Sequence, residues 1–215
     1  MSLILHNYFR SSTSIRVRIA LAMKGVDYRY SSYALLKNEH KSDEFLKLNP
    51  QGLVPSLETP DGVVSQSMAI LEYLDEVHPE PALLPLAPMD RARVRSIAQI
   101  VAMDIHPVNN LRILQYLRAE FNADDTAVKR WFQQWAREGF EALETRLSGE
   151  TETGRYCHGD SPTLADICLV SQAINNKRFD VETMPYPTIE RIVNSCLELP
   201  AFVAGLPDNQ PDAAG

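Results

Sequence analysis

The sequence predicts two domains, a small α/β domain at the N-terminus and an all-helical domain after it. Short strands alternate with helices over the first eighty residues, a pattern typical of a small mixed sheet. Four prolines between Pro79 and Pro88 interrupt the periodicity and predict a linker. Beyond them only helical periodicity continues. We therefore expect one domain over residues 1–80 and a second over residues 89–215.

The N-terminal domain is expected to begin with a strand, a helix and a second strand. Leu3 to His6 is a short apolar run typical of a buried strand. Ile15 to Lys24 places apolar residues on one helical face, and it is followed by Gly25, a residue favoured just beyond a helix end. The tyrosine-rich stretch from Asp27 to Leu35 predicts the second strand.

A short helix, a β-hairpin and a longer helix are expected to complete this domain. Ser42 to Leu48 is predicted to be helical and to stop before a proline, because the residue preceding proline disfavours helical backbone. The turn residues Thr59 to Gly62 separate two apolar runs, 54–57 and 63–65, and so predict a hairpin. Ser67 is expected to be the N-cap of an amphipathic helix.

The second domain is expected to be built from four helical stretches, residues 90–121, 127–147, 163–176 and 188–197. Pro107 lies inside the first stretch and should kink or break the helix just before it, since proline lacks an amide hydrogen. Thr163 followed by Asp166 predicts a capping box at the third. The polar, proline-containing tail from Leu206 onward is expected to be extended or frayed.

Composition is that of an ordinary globular protein and excludes several classes of function. The 215 residues include 21 basic and 28 acidic side chains, and the net charge of −7 argues against nucleic-acid or anionic-membrane partners. No apolar run approaches the roughly 18 residues of a membrane span. The N-terminal residues lack the pattern of a signal peptide. Because the three cysteines form no close pairing motif, we expect no disulfide framework, no zinc site and a cytoplasmic location.

A cluster of hydroxyl side chains stands directly before the first predicted helix. Ser11, Ser12, Thr13 and Ser14 lie where free backbone N–H groups and the positive end of the helix dipole favour an anion or a thiolate. The same residues also fit a helix N-cap without any chemical role. On spacing alone both interpretations stay open.

Other candidate residues carry weaker signals. Val54-Pro55 and Gln66-Ser67 also fit a strand start and a helix cap. Polar groups crowd around Pro107, but a lone histidine such as His106 also fits an ordinary hydrogen-bonding residue. The histidines show no metal-ligand spacing, so no metal is expected.

Six motifs then follow one another along essentially the whole chain. They are SSTSIRVRIALAMKGVDY from Ser11, LNPQGLVPSL from Leu48, SQSMAILEYLDE from Ser65, DIHPVNN from Asp104, GDSPTLADICLV from Gly159 and RFDVETMPYPTI from Arg178. In order and spacing they resemble the motifs of zeta-class glutathione transferases, the maleylacetoacetate isomerase family. Maleylpyruvate isomerases are close relatives of the same build.

The resemblance implies a thioredoxin-like N-terminal domain, a helical C-terminal domain and a homodimer. It also implies glutathione as cofactor and a dianionic small molecule as substrate. A cis peptide bond before Pro55 is expected on the same ground. Ser11 is expected to hydrogen-bond the glutathione sulfur, and Val54 is expected to pair its backbone with the cysteinyl unit.

The resemblance also assigns roles to residues scattered along the chain. The residues implied in catalysis are Ser11, Arg10 and His106. Those implied in binding glutathione are Ser11, Ser12, Thr13, His40, Val54, Pro55, Gln66, Ser67, His106 and Asn110. Because the substrate carries two acidic ends, we expect arginines to bind it, and the candidates are Arg10, Arg112 and Arg178.

The implied reaction is the glutathione-dependent cis–trans isomerisation of maleylacetoacetate or maleylpyruvate in the breakdown of aromatic compounds. Thr13 departs from the family motif, which has cysteine there, so covalent inactivation through that cysteine is not expected. Two alternatives remain. One is a transferase that conjugates glutathione to electrophilic or halogenated compounds. The other is a non-catalytic interaction protein, which the presence of Ser11, Val54-Pro55 and Gln66-Ser67 disfavours.

Overall fold

The computed structural model describes residues 3–213, which divide into two compact units. The first unit contains the described residues up to Leu83 together with those from Leu197 onward, and the second runs from Leu84 to Cys196. The division falls inside the expected linker. The expected second domain, 89–215, differs from the structure at its C-terminal end, because the residues from 197 onward pack with the first unit.

The strands and helices follow one another in an order that keeps all strands in the first part of the chain. They are β1 (Leu3–Asn7), α1 (Ser12–Lys24), β2 (Tyr28–Ser32), α2 (Asp43–Leu48), β3 (Ser56–Thr59), β4 (Gly62–Ser65), α3 (Ser67–Val77), α4 (Pro88–Gln99), α5 (His106–Val108), α6 (Leu111–Phe121), α7 (Asp125–Gly149), α8 (Leu164–Lys177), α9 (Pro187–Leu197) and α10 (Pro200–Ala204). Short 3₁₀ turns occur at Leu35–Lys37, Glu39–Lys41 and Pro207–Asn209, and a π-helical segment at Ile100–Ile105.

A four-stranded mixed sheet in the order β2-β1-β3-β4 forms the centre of the first unit. β1 runs parallel to β2 and antiparallel to β3, which pairs antiparallel with β4. Leu5 of β1 and Leu57 of β3 are paired across the sheet and completely buried. The predicted βαβ-α-ββα order and the α/β class of this part are thus confirmed, and the remainder is helical as predicted.

Helix α1 ends at Lys24 as the sequence predicts, but it begins at Ser12, three residues before the predicted start at Ile15. Ser11 has extended backbone, and its hydroxyl accepts a hydrogen bond from the Ser14 amide. Gly25 closes the helix with φ 63°, a left-handed conformation that costs glycine nothing. The helix packs against α3 and α10. The Ser11 side chain is therefore held at the N-terminus of a well-anchored helix.

The expected cap of α3 is wrong by one residue. Ser67 is the first residue of the helix, and Gln66 occupies the cap position with φ 71° and ψ 119°. Such a backbone conformation in a residue other than glycine costs about 1–3 kcal/mol, and conformations of this kind concentrate at ligand sites. The Ser67 hydroxyl instead accepts a hydrogen bond from the Arg16 guanidinium of α1, at 3.2 Å.

The C-terminal tail is ordered rather than extended or frayed. Pro207–Asn209 forms a 3₁₀ turn, and the buried Gln210 donates from Nε2 to the carbonyls of Ala204 and Leu206. Asp212 accepts hydrogen bonds from the first unit as well. Side-chain hydrogen bonds, rather than a regular helix or strand, hold this segment in place. Its polar, proline-containing sequence therefore did not reveal that the tail is ordered.

The second unit is helical throughout its described elements. The backbone leaves α-helical geometry over Ile100–Ile105, just before Pro107, where the His106 amide donates to Val101 five residues earlier. The expected disturbance before Pro107 is thus confirmed. The capping box of α8 is also confirmed, because the Asp166 carboxylate accepts from the Thr163 amide at 2.7 Å. None of the helices within residues 3–213 is both long and apolar enough to cross a membrane.

Candidate active site

The hydroxyl cluster at the start of α1 contains a short chain of hydrogen bonds that ends on the loop before β3. Ser11 Oγ and Thr13 Oγ1 lie 2.8 Å apart, and Thr13 Oγ1 donates to the Val54 carbonyl at 3.1 Å. Because the Thr13 hydroxyl uses its one proton for Val54, Ser11 is the donor in the Ser11–Thr13 bond. The peptide bond between Val54 and Pro55 is cis, as the resemblance implied. Three of the expected site residues are therefore directly connected.

Both interpretations of the hydroxyl cluster find support in this geometry. Ser11 is a helix N-cap, since its oxygen accepts from the Ser14 amide at 3.3 Å. It is also half-buried at the positive end of α1, where a thiolate or another anion is favoured. Ser12, by contrast, is buried. The N-cap and a chemical role for Ser11 are thus compatible.

A second anion-favouring position lies at the N-terminus of α3. The Arg16 guanidinium is almost completely buried and donates to the Ser67 hydroxyl. Gln66 Nε2 donates to Gln51 Oε1 at 2.7 Å, so the strained Gln66 is tied to the loop before Pro55. A helix N-terminus beside a buried guanidinium is suited to a negatively charged group.

Arg16 and Gln51 were not predicted as site residues from the sequence. Arg16 carried a signal, because it interrupts the apolar pattern of α1 at a position that the structure buries. A charged side chain is almost never fully buried without a specific purpose. Gln51 carried no comparable signal, since polar residues are common next to a proline in a loop.

His40 lies in the 3₁₀ turn before α2 with only 9% of its surface exposed. Its Nδ1 atom is buried and has no hydrogen-bond partner within the described chain. Burial, and then the nearby Lys41 charge, lower the pKa of His40 below its usual value. A buried nitrogen of this kind can serve a bound ligand that brings a donor or an acceptor.

Replacing His40 by glutamine is expected to weaken the acid sensitivity of the fold. With a lowered pKa in the folded state, the unfolded chain binds more protons here, so this group's contribution is complete above pH ~6.5 and is lost as the pH falls through the folded-state pKa. Urea unfolding at pH 8 and pH 5 should show a smaller decrease for the variant than for the wild type. Equal decreases in both proteins would contradict the lowered pKa.

The remaining predicted residues fall in separate places. Arg10, in the first unit, is exposed with its guanidinium over the Phe9 ring. In the second unit, Asn110 Nδ2 lies 3.3 Å from His106 Nε2, so the structure brings these two together. Within residues 3–213, no group of three or more histidine, cysteine or acidic side chains is arranged to hold a metal ion.

Arg112 and Arg178 also belong to the second unit. Arg112 is exposed in the first turn of α6, whose N-cap is Asn110. Arg178 is exposed at the end of α8, where Nη1 donates to Asn175 Oδ1 at 3.3 Å and the guanidinium lies over the Phe179 ring.

Comparisons with known proteins agree with these features. Residues 1–76 match the model of the glutathione S-transferase N-terminal domain. A maleylpyruvate isomerase from Ralstonia sp is 50% identical over 210 residues, which cover 98% of this chain and 99% of the relative. A maleylacetoacetate isomerase from Dictyostelium discoideum is 44% identical over 98% of this chain and 95% of the relative.

Solved structures give the same result. A maleylpyruvate isomerase described as a bacterial zeta-class glutathione S-transferase superposes with a TM-score of 0.96 at 50% identity, over 98% of this chain and 99% of that one. A maleylacetoacetate isomerase from Anaeromyxobacter dehalogenans, with glutathione bound in its active site, gives a TM-score of 0.88 at 42% identity over 99% and 98% of the two chains. The chain therefore belongs to the zeta class of the glutathione transferases, in the family of the maleylacetoacetate and maleylpyruvate isomerases.

Proposed function

We propose that the protein is a glutathione-dependent cis–trans isomerase that converts maleylacetoacetate to fumarylacetoacetate, or maleylpyruvate to fumarylpyruvate. The observation that carries this proposal is the Ser11 hydroxyl, held at the N-terminus of α1 and connected through Thr13 to the backbone before the cis-proline. Relatives over 40% identical along nearly their whole length bear both isomerase names.

The residues of the first unit fit glutathione. The tripeptide is anionic at both ends, and the N-terminus of α3 above the buried Arg16 suits one of its carboxylates. The unpartnered Nδ1 of His40 suits another polar part of the same molecule. We propose that Ser67 and Gln66 hold the γ-glutamyl end, that Val54 and Pro55 face the cysteinyl unit, and that His40 contacts the tripeptide.

When bound, glutathione supplies a thiolate that adds reversibly to the conjugated double bond and makes it a single bond. Rotation about this single bond and elimination of the thiolate then give the trans isomer and return glutathione unchanged. A cysteine-type thiol has a pKa near 8.5 and is mostly protonated at pH 7. When glutathione binds, the single Ser11 hydroxyl proton turns from Thr13 to the anionic sulfur and donates a hydrogen bond to it, and the α1 dipole acts in the same direction. We propose that Ser12 and Thr13 complete the polar surroundings of the bound sulfur.

The substrate requires positive charge, because it is a dianion and gains further negative charge on its carbonyl oxygen during the reaction. The protein has a net charge of −7, so its overall field does not attract such a molecule. We propose that Arg10, Arg112 and Arg178 bind the carboxylates. We further propose that His106 and Asn110, which are hydrogen-bonded to each other, contact the bound reactants.

The deciding experiment compares isomerisation of both maleyl substrates with and without glutathione. We expect activity that requires glutathione but does not consume it. Stoichiometric loss of glutathione, together with conjugation of a generic electrophile, would instead support a conjugating transferase. Failure to bind immobilised glutathione would support a non-catalytic protein. The faster of the two maleyl substrates identifies the physiological one.

Thr13→Val is expected to raise the KM for glutathione about two- to tenfold, since one neutral hydrogen bond contributes about 0.5–1.5 kcal/mol. The change removes the hydroxyl that connects Ser11 to the Val54 carbonyl while nearly keeping the side-chain shape. Steady-state kinetics at pH 7 measure the KM, and Thr13→Ser, which keeps the hydroxyl, should have the wild-type value. Unchanged or tighter glutathione binding in the valine variant would contradict this expectation, because the loss of Thr13 as a competing acceptor for the Ser11 proton would then outweigh the loss of its bond to Val54.

We also propose that the protein acts as a homodimer in the cytoplasm. All three cysteines are free and buried, which suits a reducing compartment. Burial raises the pKa of Cys157 well above its usual value, so this thiol is unreactive. Sedimentation of the purified protein tests the oligomeric state.

A further inference from the structure

The C-terminal segment of the first unit reaches the loop that precedes Ser11. Asp212 Oδ2 accepts a hydrogen bond from the Phe9 amide at 3.2 Å, although the two residues are 203 positions apart. Asp212 Oδ1 accepts from the Tyr30 hydroxyl of β2 at 2.5 Å. One carboxylate thus bridges the sheet and the loop. Charge-assisted hydrogen bonds of this type are stronger than neutral ones.

The same loop is also held by Arg18 of α1. This side chain is only 1% exposed, and its guanidinium donates to the carbonyls of Phe9 at 2.9 Å and Tyr8 at 3.3 Å. It also donates to the Gly205 carbonyl at 3.1 Å. Burial lowers the pKa of Arg18, and Tyr30, Tyr28 and Asp212 oppose this effect, in that order. Arg18 and Asp212 thus bind the same loop through different backbone groups.

These contacts are connected to Ser11 through the backbone groups of Phe9 and Tyr8. The Phe9 amide is bound to Asp212 and the Phe9 carbonyl to Arg18, so both backbone groups of this residue are fixed. The Tyr8 carbonyl that Arg18 contacts also accepts from the Ser11 amide at 3.0 Å. Arg10 follows Phe9 directly and packs on its ring.

We propose that Asp212 is a positioning residue for the isomerase reaction, which orients the Tyr8–Ser11 loop and through it the Ser11 hydroxyl. The proposal rests on the function inferred above for Ser11. It assigns the C-terminal segment a role in the chemistry of the bound sulfur, in addition to packing. Because Asp212 is proposed to contact neither the sulfur nor the substrate, its effect must appear in the ionisation of the bound thiol.

The test uses Asp212→Ala in the full chain, with Asp208→Ala as the matched control. Asp208 is an exposed acidic residue of the same segment and carries the same charge. The absorbance of the thiolate, followed against pH, measures the pKa of bound glutathione without any maleyl substrate. We expect Asp212→Ala to raise this pKa, to lower kcat/KM about tenfold at pH 7 and to lower it less at pH 9. Asp208→Ala should match the wild type.

A conservative variant separates positioning from folding. Asp212→Asn keeps one oxygen that can accept from Phe9, so it should recover most of the thiol pKa. If Asp212→Ala does not fold, Tyr30→Phe carries the test, since it removes one hydrogen bond of the bridge while Asp212 stays in place, and it should raise the thiol pKa by a smaller amount. A lower urea midpoint with an unchanged thiol pKa in whichever of Asp212→Ala and Tyr30→Phe carries the test would overturn the proposal. A wild type that lowers the thiol pKa but isomerises neither substrate would overturn only the proposed function.

Discussion

Ser11→Ala is expected to lower kcat/KM about ten- to hundredfold at pH 7, because a hydrogen bond to a charged group contributes roughly 1.5–3 kcal/mol. The loss should be clearly smaller at pH 9. Above the pKa of free glutathione the thiol ionises by itself, so the Ser11 hydroxyl matters least there. Rates measured from pH 6 to pH 9.5, with saturating and with limiting glutathione, separate this effect from altered binding.

Ser42→Ala is the matched control for that variant. Ser42 is likewise a helix N-cap, whose hydroxyl accepts from the Phe45 amide at 3.3 Å, so both variants lose a capping bond. Each should cost about 1 kcal/mol of stability. Only Ser11→Ala should change the pH profile of turnover. An equal loss at every pH, or no loss, would exclude Ser11 from stabilising the thiolate.

Arg112→Met and Arg178→Met are each expected to reduce kcat/KM toward the maleyl dianion about ten- to hundredfold. A guanidinium binds a carboxylate through two parallel charge-assisted hydrogen bonds. The loss of one such pair of bonds accounts for a decrease in kcat/KM of about ten- to hundredfold. Glutathione affinity and any activity on neutral electrophiles should stay nearly unchanged. Arg10→Met is expected to affect both, because Arg10 is adjacent to Ser11.

Arg118→Met supplies the comparison for these arginines. Arg118 lies on the same helix as Arg112, and its guanidinium pairs with the exposed Asp125 at 2.8 Å. An exposed ion pair of this kind contributes at most about 1 kcal/mol to stability, so kinetics should be unaffected. Steady-state constants on both maleyl substrates decide the matter. Wild-type efficiency in both Arg112→Met and Arg178→Met would exclude the carboxylate-binding role.

The sequence predicted those features that depend on neighbouring residues. Gly25 marked the end of α1, and the Thr163–Asp166 spacing marked the start of α8, because both involve backbone groups within a few positions. Ser11 could be singled out for the same reason, since a hydroxyl before a helix is a local pattern. The order of strands and helices along the chain and the mixed character of the sheet followed from the alternation of short elements.

Features that depend on distant residues were missed. Ser67 resembles an N-cap by its type, yet the position is taken by Gln66, whose strained backbone no local preference predicts. The tail was misjudged because its order comes from Asp212 and Gln210, whose partners are supplied by the folded chain. Arg16 interrupts the apolar pattern of α1, but its partner Ser67 lies 51 positions away, so the sequence alone did not show what its buried guanidinium binds.

The discontinuity of the first unit has a consequence for biosynthesis. Residues up to Leu83 leave the ribosome long before residues 197–213, which supply the Gly205 carbonyl to Arg18 and the Asp212 carboxylate to the Phe9 amide. During that interval the Arg18 guanidinium lacks an acceptor that it has in the finished fold, and burying a poorly compensated charge is costly. The N-terminal sheet is therefore expected to mature after translation rather than during it. Arrested nascent chains that end near residue 120 should be much more sensitive to protease in this region than full-length chains.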